Sequence, residues 1–453
     1  MVDKMKEVDK MENNKNKKRK IFACLIVAMV FSFTLGCISE EKETPAPTTV
    51  APTTAAPEYP EEIKIGCLCP LTGPIPSTGE AQRQAIEFAA WLVNNYVESP
   101  VLMCKSEGLE NLGGAKVVPV FGDGGCNAQV AQQSAESLVS QNPDLVALYG
   151  ELCSSATQTV ANVAEKYGIP MVNGSSSSPK LTALGLKWFF RVSPHDGLFI
   201  RTMFDFMKDM NAEKNAGIKD IAIAYEDTEF GTTSAEVFKE YAVEYGFNII
   251  EDISYSKNTT DVDNEVQRLK AADPDVILMA TYAADTILFF KTFEKYDVNI
   301  PVIGNGSGFT KAEFLAIPES RYALSRATFT PDMFENMPSA QDLDEMFEER
   351  YGISMADWTR DVMAFLVLCD AINRAGSTDP EAIRTALLET NIPKSALIVP
   401  WDGIKFDPAS HQNVYSAGIV CQALGDPIRM WSVWPFEFAG KELVWPPPPW
   451  DQR

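Results

Sequence analysis

Histidine is nearly missing from this sequence: His195 and His411 are the only two. A zinc site built on imidazoles or a histidine general base is therefore poorly supported. Positive charge is also scarce. Lys and Arg number 39 against 62 Asp and Glu, a net charge of −23. Such a surface repels phosphate backbones and argues against a nucleic-acid partner. No lysine-bearing phosphate loop occurs. Beyond residue 36 there is no apolar run long enough to span a membrane. Hydrophobic residues at 45% and charged ones at 22% nevertheless describe a globular chain. At 453 residues it exceeds one ordinary core, so two lobes are expected.

What is present starts at the N-terminus. "KNKKRK" precedes the apolar run "IFACLIVAMVFSFTLG" and then Cys37. A basic segment, a short apolar segment and a Gly-Cys end are the pattern of a lipoprotein signal with Cys37 as the lipidated residue, although Thr34 stands where a leucine is usual. An uncleaved signal anchor is the other reading of residues 1–37. Both put the remainder outside the cytoplasm, on the outer face of the cell membrane. Residues 38–61, "ISEEKETPAPTTVAPTTAAPEYPE", hold too few bulky apolar side chains to bury a core and read as an extended stalk.

From Ile63 the chain alternates strand-like and helix-like segments. "IKIGCLCPL" is followed by "EAQRQAIEFAAWLVNNY", with Ala85, Phe88, Ala89 and Leu92 on one helical face. "AKVVPVFG", "DLVALYG" and "IPMVNG" continue the first series. "KDIAIAYE", "NIIEDISY", "DVILMATY" and "IPVIGN" form a second, again separated by amphipathic helices. Apolar strands alternating with helices mean parallel sheets wrapped in helices, and two series mean two Rossmann-like α/β lobes.

Two strand ends in the first series break into hydroxyl residues, "LCSSATQ" and "NGSSSSPK". Ligands of open α/β sheets bind beyond the carboxyl ends of the strands. There, small side chains and a helix N-terminus expose N–H groups to an anion. Ser154 and Ser155 can also cap their helix. A carboxylate fits such a site.

At these residues the chain resembles the leucine/isoleucine/valine-binding proteins of ABC transporters, within the type I solute-binding family. The likeness runs from about Ile63 to the C-terminus through "IKIGCLCPLTGPIPSTG", "LCSSATQ", "AEKYGIPMVN", "SSPKLT", "FFRVSP", "AYEDTEFG", "AADPDVILMATYAAD" and "FDP". It implies a type I periplasmic-binding fold, with residues 62–193 plus 326–405 in lobe 1 and residues 194–325 plus 406–453 in lobe 2. Three crossovers, near Ser193, Arg326 and Phe406, would serve as the hinge. It implies no enzyme and no cofactor. The partners would be a small solute such as a branched-chain amino acid, and permease subunits of an importer. Carried over position by position, Ser154 binds the ligand carboxylate, with Ser155 beside it. Ser177 has the same hydroxyl role, and Ser175 offers its carbonyl to an ammonium. Tyr282 covers the ligand from the second lobe, Phe230 lies near its side chain, and Thr78 replaces a larger aromatic residue. The family's acidic partner for the ammonium falls on Gly306. Glu226, Asp227 or Glu229 would have to substitute; otherwise the solute lacks an ammonium and is a carboxylate, an amide or urea-like. Cysteines matching Cys126 and Cys153 imply a disulfide, and Cys369 with Cys421 is a second possible pair.

Other signals weigh less. Ser177-Ser-Pro-Lys180 spells the S-x-x-K of some acylating enzymes, but Pro179 interrupts the helix that chemistry needs. Asn258 is a better glycosylation candidate than Asn173 or Asn305, which fall at the cleft. A sensor lobe of the same fold is the alternative function, since fold alone does not fix function.

Overall fold

The computed structural model describes residues 59–453. The signal or anchor segment, Cys37 and nearly all of the stalk lie outside the described residues. The first sheet contains β1 (Glu62–Cys69), β2 (Lys116–Asp123), β3 (Leu145–Gly150), β4 (Met171–Asn173) and β5 (Phe189–Arg191), ordered β2-β1-β3-β4-β5 and parallel throughout. β3, "LVALYG", is buried at every residue, as expected of a strand covered on both faces. Helix α1 (Pro76–Asn94) starts on a proline, whose missing N–H costs nothing in the first turn. It buries Ala85, Phe88, Ala89 and Leu92, the face read from the sequence. Helices α2 (Ala128–Gln141) and α3 (Ser154–Tyr167) cover the other side through Ala131, Ala135, Val160 and Ala164.

The second sheet repeats the order. It holds β6 (Asp220–Glu226), β7 (Asn248–Tyr255), β8 (Val276–Ala280), β9 (Val302–Gly304) and β10 (Leu324–Ala327) as β7-β6-β8-β9-β10, all parallel. Its helices are α4 (Asp196–Lys214), α5 (Glu229–Tyr245), α6 (Asp263–Ala272) and α7 (Ala283–Lys295). The sheet then departs from the expected all-parallel form. β11 (Asn391–Pro393) and β12 (Gly403–Lys405) make a separate ribbon, while β13 (Ile419–Leu424) and β14 (Arg429–Trp434) add an antiparallel hairpin beside β10. Six residues of the chain's last stretch, IVCQAL, thus supply an interior strand that is followed directly by another strand and not by an α-helix.

After β10 the chain returns to the first core. There α8 (Pro338–Tyr351), α9 (Thr359–Ala375) and α10 (Pro380–Leu388) bury Leu343, Phe347, Phe365, Leu366, Ile383 and Leu387 with the inner side of α1. It passes between the sheets three times, after β5, after β10 and after β12. The first and third passages are laced together: Arg191 N–H donates to the His411 carbonyl, Asn413 N–H to the Arg191 carbonyl, and Gln412 Nε2 to the Ser193 carbonyl at 2.8 Å. Phe190 stacks on His411 at 4.3 Å between centroids, so that histidine is a packing residue.

Cys126 and Cys153 are disulfide-bonded, with Cα atoms 5.3 Å apart. Cys369 and Cys421 are not paired, because one is buried in the first-lobe core and the other in the second. Ser177 precedes the short helix Lys180–Ala183 rather than lying one turn from Lys180 within it. Asn173 and Asn305 are buried, and Asn258 is exposed on a loop. Among the described residues no helix is long and apolar enough to cross a membrane.

Candidate functional site

The two serine runs meet beyond β3 and β4. Asn173 stitches them: its Nδ2 donates to the Gly150 and Glu151 carbonyls, while its Oδ1 accepts the Ser175 and Ser176 N–H groups. Ser178 N–H donates to Ser154 Oγ at 3.3 Å. Arg191, fully buried, donates from Nη1 to the Ser178 carbonyl at 2.6 Å and so fixes the far side of the loop. Gly174 must be glycine, since a Cβ there would lie 2.5 Å from Tyr149 Oη. The hydroxyl of Ser175 is spent on both oxygens of Asp361, at 2.7 Å each.

The helix cap is not where the sequence suggested. Cys153 is the N-cap of α3 and makes no side-chain cap bond; Ser154 is already the first helical residue. Neither serine caps the helix. The first intrahelical bond runs from Thr157 N–H to the Cys153 carbonyl, so the N–H groups of Ser154, Ser155 and Ala156 precede the ladder, as the first turn of any helix requires.

Opposite stands the second lobe. Tyr282 is the N-cap of α7, its ring 5.3 Å from that of Phe230. It packs against apolar residues of both lobes. Between the lobes lies a cavity of about 20 Å³, lined by Ser154, Ser175, Ser177, Thr78, Phe230 and Tyr282 together with Lys311, Arg326 and Arg360. That is room for about one water molecule, so the cleft is shut more tightly than a solute of several carbons allows, and the lobes must part to admit one. Closure is held by polar contacts across it: Ser178 Oγ donates to Glu229 at 3.1 Å, Thr310 Oγ1 to Asp357 at 3.0 Å, and Lys311 pairs with Asp357.

Two expected residues face elsewhere. Ser155 lines a neighbouring space with Thr72, Gly125 and Asp285. Asp227 is exposed and accepts the Lys257 N–H at 2.8 Å, which holds a turn. Glu226 is turned to that same neighbouring space, and Glu229 is bound by Ser178. No Asp or Glu lines the central cavity, whereas three cations do. The sequence reading missed all three, because Arg326, Lys311 and Arg360 sit in segments with no motif. Gly306, at φ +66, lets the Arg326 guanidinium in, since a Cβ there would be 2.4 Å from Cζ. Burial pushes Arg326 down to about 9, so it stays a cation at neutral pH.

The sequence pattern of the periplasmic binding protein family matches residues 62–420. The chain belongs to that family. It is a periplasmic binding protein, not an enzyme. The "Leu/Ile/Val-binding protein homolog 7" of Brucella abortus (strain 2308) is 25% identical over 379 residues, 81% of this chain and 90% of that one. A leucine-binding protein from Thermotoga maritima superposes with a TM-score of 0.67 at 22% identity, over 81% of this chain and 97% of its own. An R. palustris solute-binding protein solved with benzoate gives 0.68 at 18% identity, over 82% and 95%. The family works outside the cytoplasm.

One carboxyl under the site of this binding protein predicts a pH effect. Glu151 is fully buried beside α3, and burial pushes it up to about 8 despite accepting the Cys153 N–H at 2.5 Å. Unfolded, it titrates near ~4.3. The folded state thus holds a proton the unfolded state lacks between those values. Its stabilisation is complete below the unfolded pKa and lost as pH rises through the folded one. The slope limit for one proton is about 1.4 kcal/mol per pH unit. The melting temperature is expected to fall from pH 5 to 8, and Glu151→Gln to flatten that fall. A variant profile parallel to wild type would refute the assignment.

Proposed function

We propose that this protein captures a small carboxylate without an ammonium group and passes it to an ABC importer at the outer face of the cell membrane. The observation that carries this reading is the lining of the cavity: Lys311, Arg326 and Arg360 face it, and no Asp or Glu does. An ammonium buried there would meet the three cations first, since Asp357, Asp196 and Asp361 stand behind them and do not line the cavity, which costs several kcal/mol. A carboxylate would instead take the hydroxyls of Ser154 and Ser177 and the free N–H groups of α3. Phe230 and Tyr282 would cover its apolar body, Tyr282 arriving as the lobes close, with Thr78 leaving space at the other wall. Ser155 and Asp227 have no part in this arrangement. The R. palustris protein of like fold was solved with benzoate, an ammonium-free carboxylate, which supports the reading.

Leucine and 4-methylpentanoate share one skeleton and differ by the ammonium, so calorimetry with the two isolates the question. 4-Methylpentanoate is expected to bind more tightly, by at least tenfold. Tighter binding of leucine would overturn the proposal in favour of an amino-acid carrier.

A further inference from the structure

We infer that the solute carries a second anionic group, received by Arg326 and Arg360. This rests on the carboxylate reading above and goes past it to a dicarboxylate. One carboxylate is fully provided for at the Ser154 end by hydroxyls and helix N–H groups. The guanidiniums are surplus to it, and their own partners do not use them up. Arg360 is 8% exposed, and its Nε has no hydrogen-bond partner. The nearest carboxylate oxygen, on Asp361, is 3.8 Å from that Nε. Asp361 is meanwhile occupied by Ser175 Oγ, Gln82 Nε2 at 3.0 Å and Tyr149 Oη at 3.1 Å. A buried guanidinium N–H left unmade is costly unless something else accepts from it.

Arg326, which β10 places in the second sheet and so in the second lobe and not at the start of a lobe 1 segment, repeats the pattern. Its Nε donates to Asn305 Oδ1 at 2.8 Å, and its plane lies over Phe199 at 3.5 Å. Its acidic neighbour, Asp196, stands 3.8 Å from Nη2, beyond hydrogen-bond distance, and accepts from Asn305 and Ser234 instead. Lys311 differs, because Asp357 already meets its charge. Two arginines from opposite lobes therefore face one small cavity with donors to spare. Their planar forks match a carboxylate bidentately. An anion between them would also tie the lobes shut, which gives it differential affinity for the closed state.

Calorimetry on the purified full chain with carbon-matched pairs tests this: butyrate against succinate, and pentanoate against glutarate. At least one dicarboxylate is expected to bind ten- to a hundredfold tighter than its monocarboxylate, the range of a charge-assisted hydrogen bond. Arg360→Met should bring that ratio towards one, and Arg360→Lys, which keeps charge without the fork, should retain part of it. Equal affinities within both pairs in the wild type would overturn the inference without any variant. So would an advantage that survives both Arg360→Met and Arg326→Met. If 4-methylpentanoate binds well and no dicarboxylate beats its pair, this inference alone falls. If only leucine binds, or nothing does, the carboxylate reading falls with it.

Discussion

Replacing Ser154 by alanine is expected to weaken binding of 4-methylpentanoate by very roughly ten- to a hundredfold in a domain that still folds. The change removes a hydroxyl hydrogen bond to a charged group, worth about 1.5–3 kcal/mol. A lost helix cap would instead appear as about 1 kcal/mol of folding stability. The structure takes that second effect away, because Cys153 holds the cap position and Ser154 makes no cap bond. What the folded state loses is the acceptor of the buried Ser178 N–H, a contact of 3.3 Å, which costs about 1 kcal/mol, so affinity and not stability is the deciding readout. Ser155→Ala is the control. Its hydroxyl lines the neighbouring space and not the central cavity, so its affinity should stay within about twofold, a surface-like change of a few tenths of a kcal/mol. Equal affinities in wild type and Ser154→Ala would show that the carboxylate does not sit at the start of α3.

The contrast between these adjacent serines marks the limit of the sequence. Strand and helix periodicities place the parallel strands and the helices between them, because alternating burial leaves its imprint in each short window. The two hydroxyl runs are legible for the same reason: they interrupt apolar strands at the end where ligands bind. The charge of the site is not local. Arg360 and Asp361 open α9, whose buried faces read simply as core, and they reach the serine loop across about 186 residues of chain. Arg326 is one residue of a short interior strand, and only the missing Cβ of Gly306 makes space for it. A buried helix that opens on Arg-Asp in "WTRDVMAFLVLC" is the one hint present, since charges are seldom buried without partners. The hairpin β13–β14 was hidden differently: it pairs antiparallel with a strand about 100 residues earlier, beyond any helix-strand alternation.

Removing the Cys126–Cys153 bridge is expected to lower the unfolding free energy by about 3–4 kcal/mol. The bridge closes a loop of 27 residues, and constraining a loop of that size in the unfolded chain is worth about that much. Against a total stability of about 5–15 kcal/mol the loss is a large share. The local structure gives it a second consequence. Both bridged residues donate their N–H to the Glu151 carboxyl, Cys153 at 2.5 Å and Cys126 at 3.3 Å. Cys153 also caps the helix whose first residue is Ser154. The covalent link therefore holds the end of β2 against the start of α3, where we propose that the solute carboxylate sits. A Cys126→Ala, Cys153→Ala double variant should show a lowered denaturation midpoint and weaker binding together. Wild type treated with a reductant should reproduce both, since the other five cysteines among the described residues are buried free thiols with nothing for the reductant to break. A double variant within about 1 kcal/mol of wild type would mean that the bridge does not constrain the unfolded chain. The anchoring of α3 would then have to come from Glu151 and Asn173 alone.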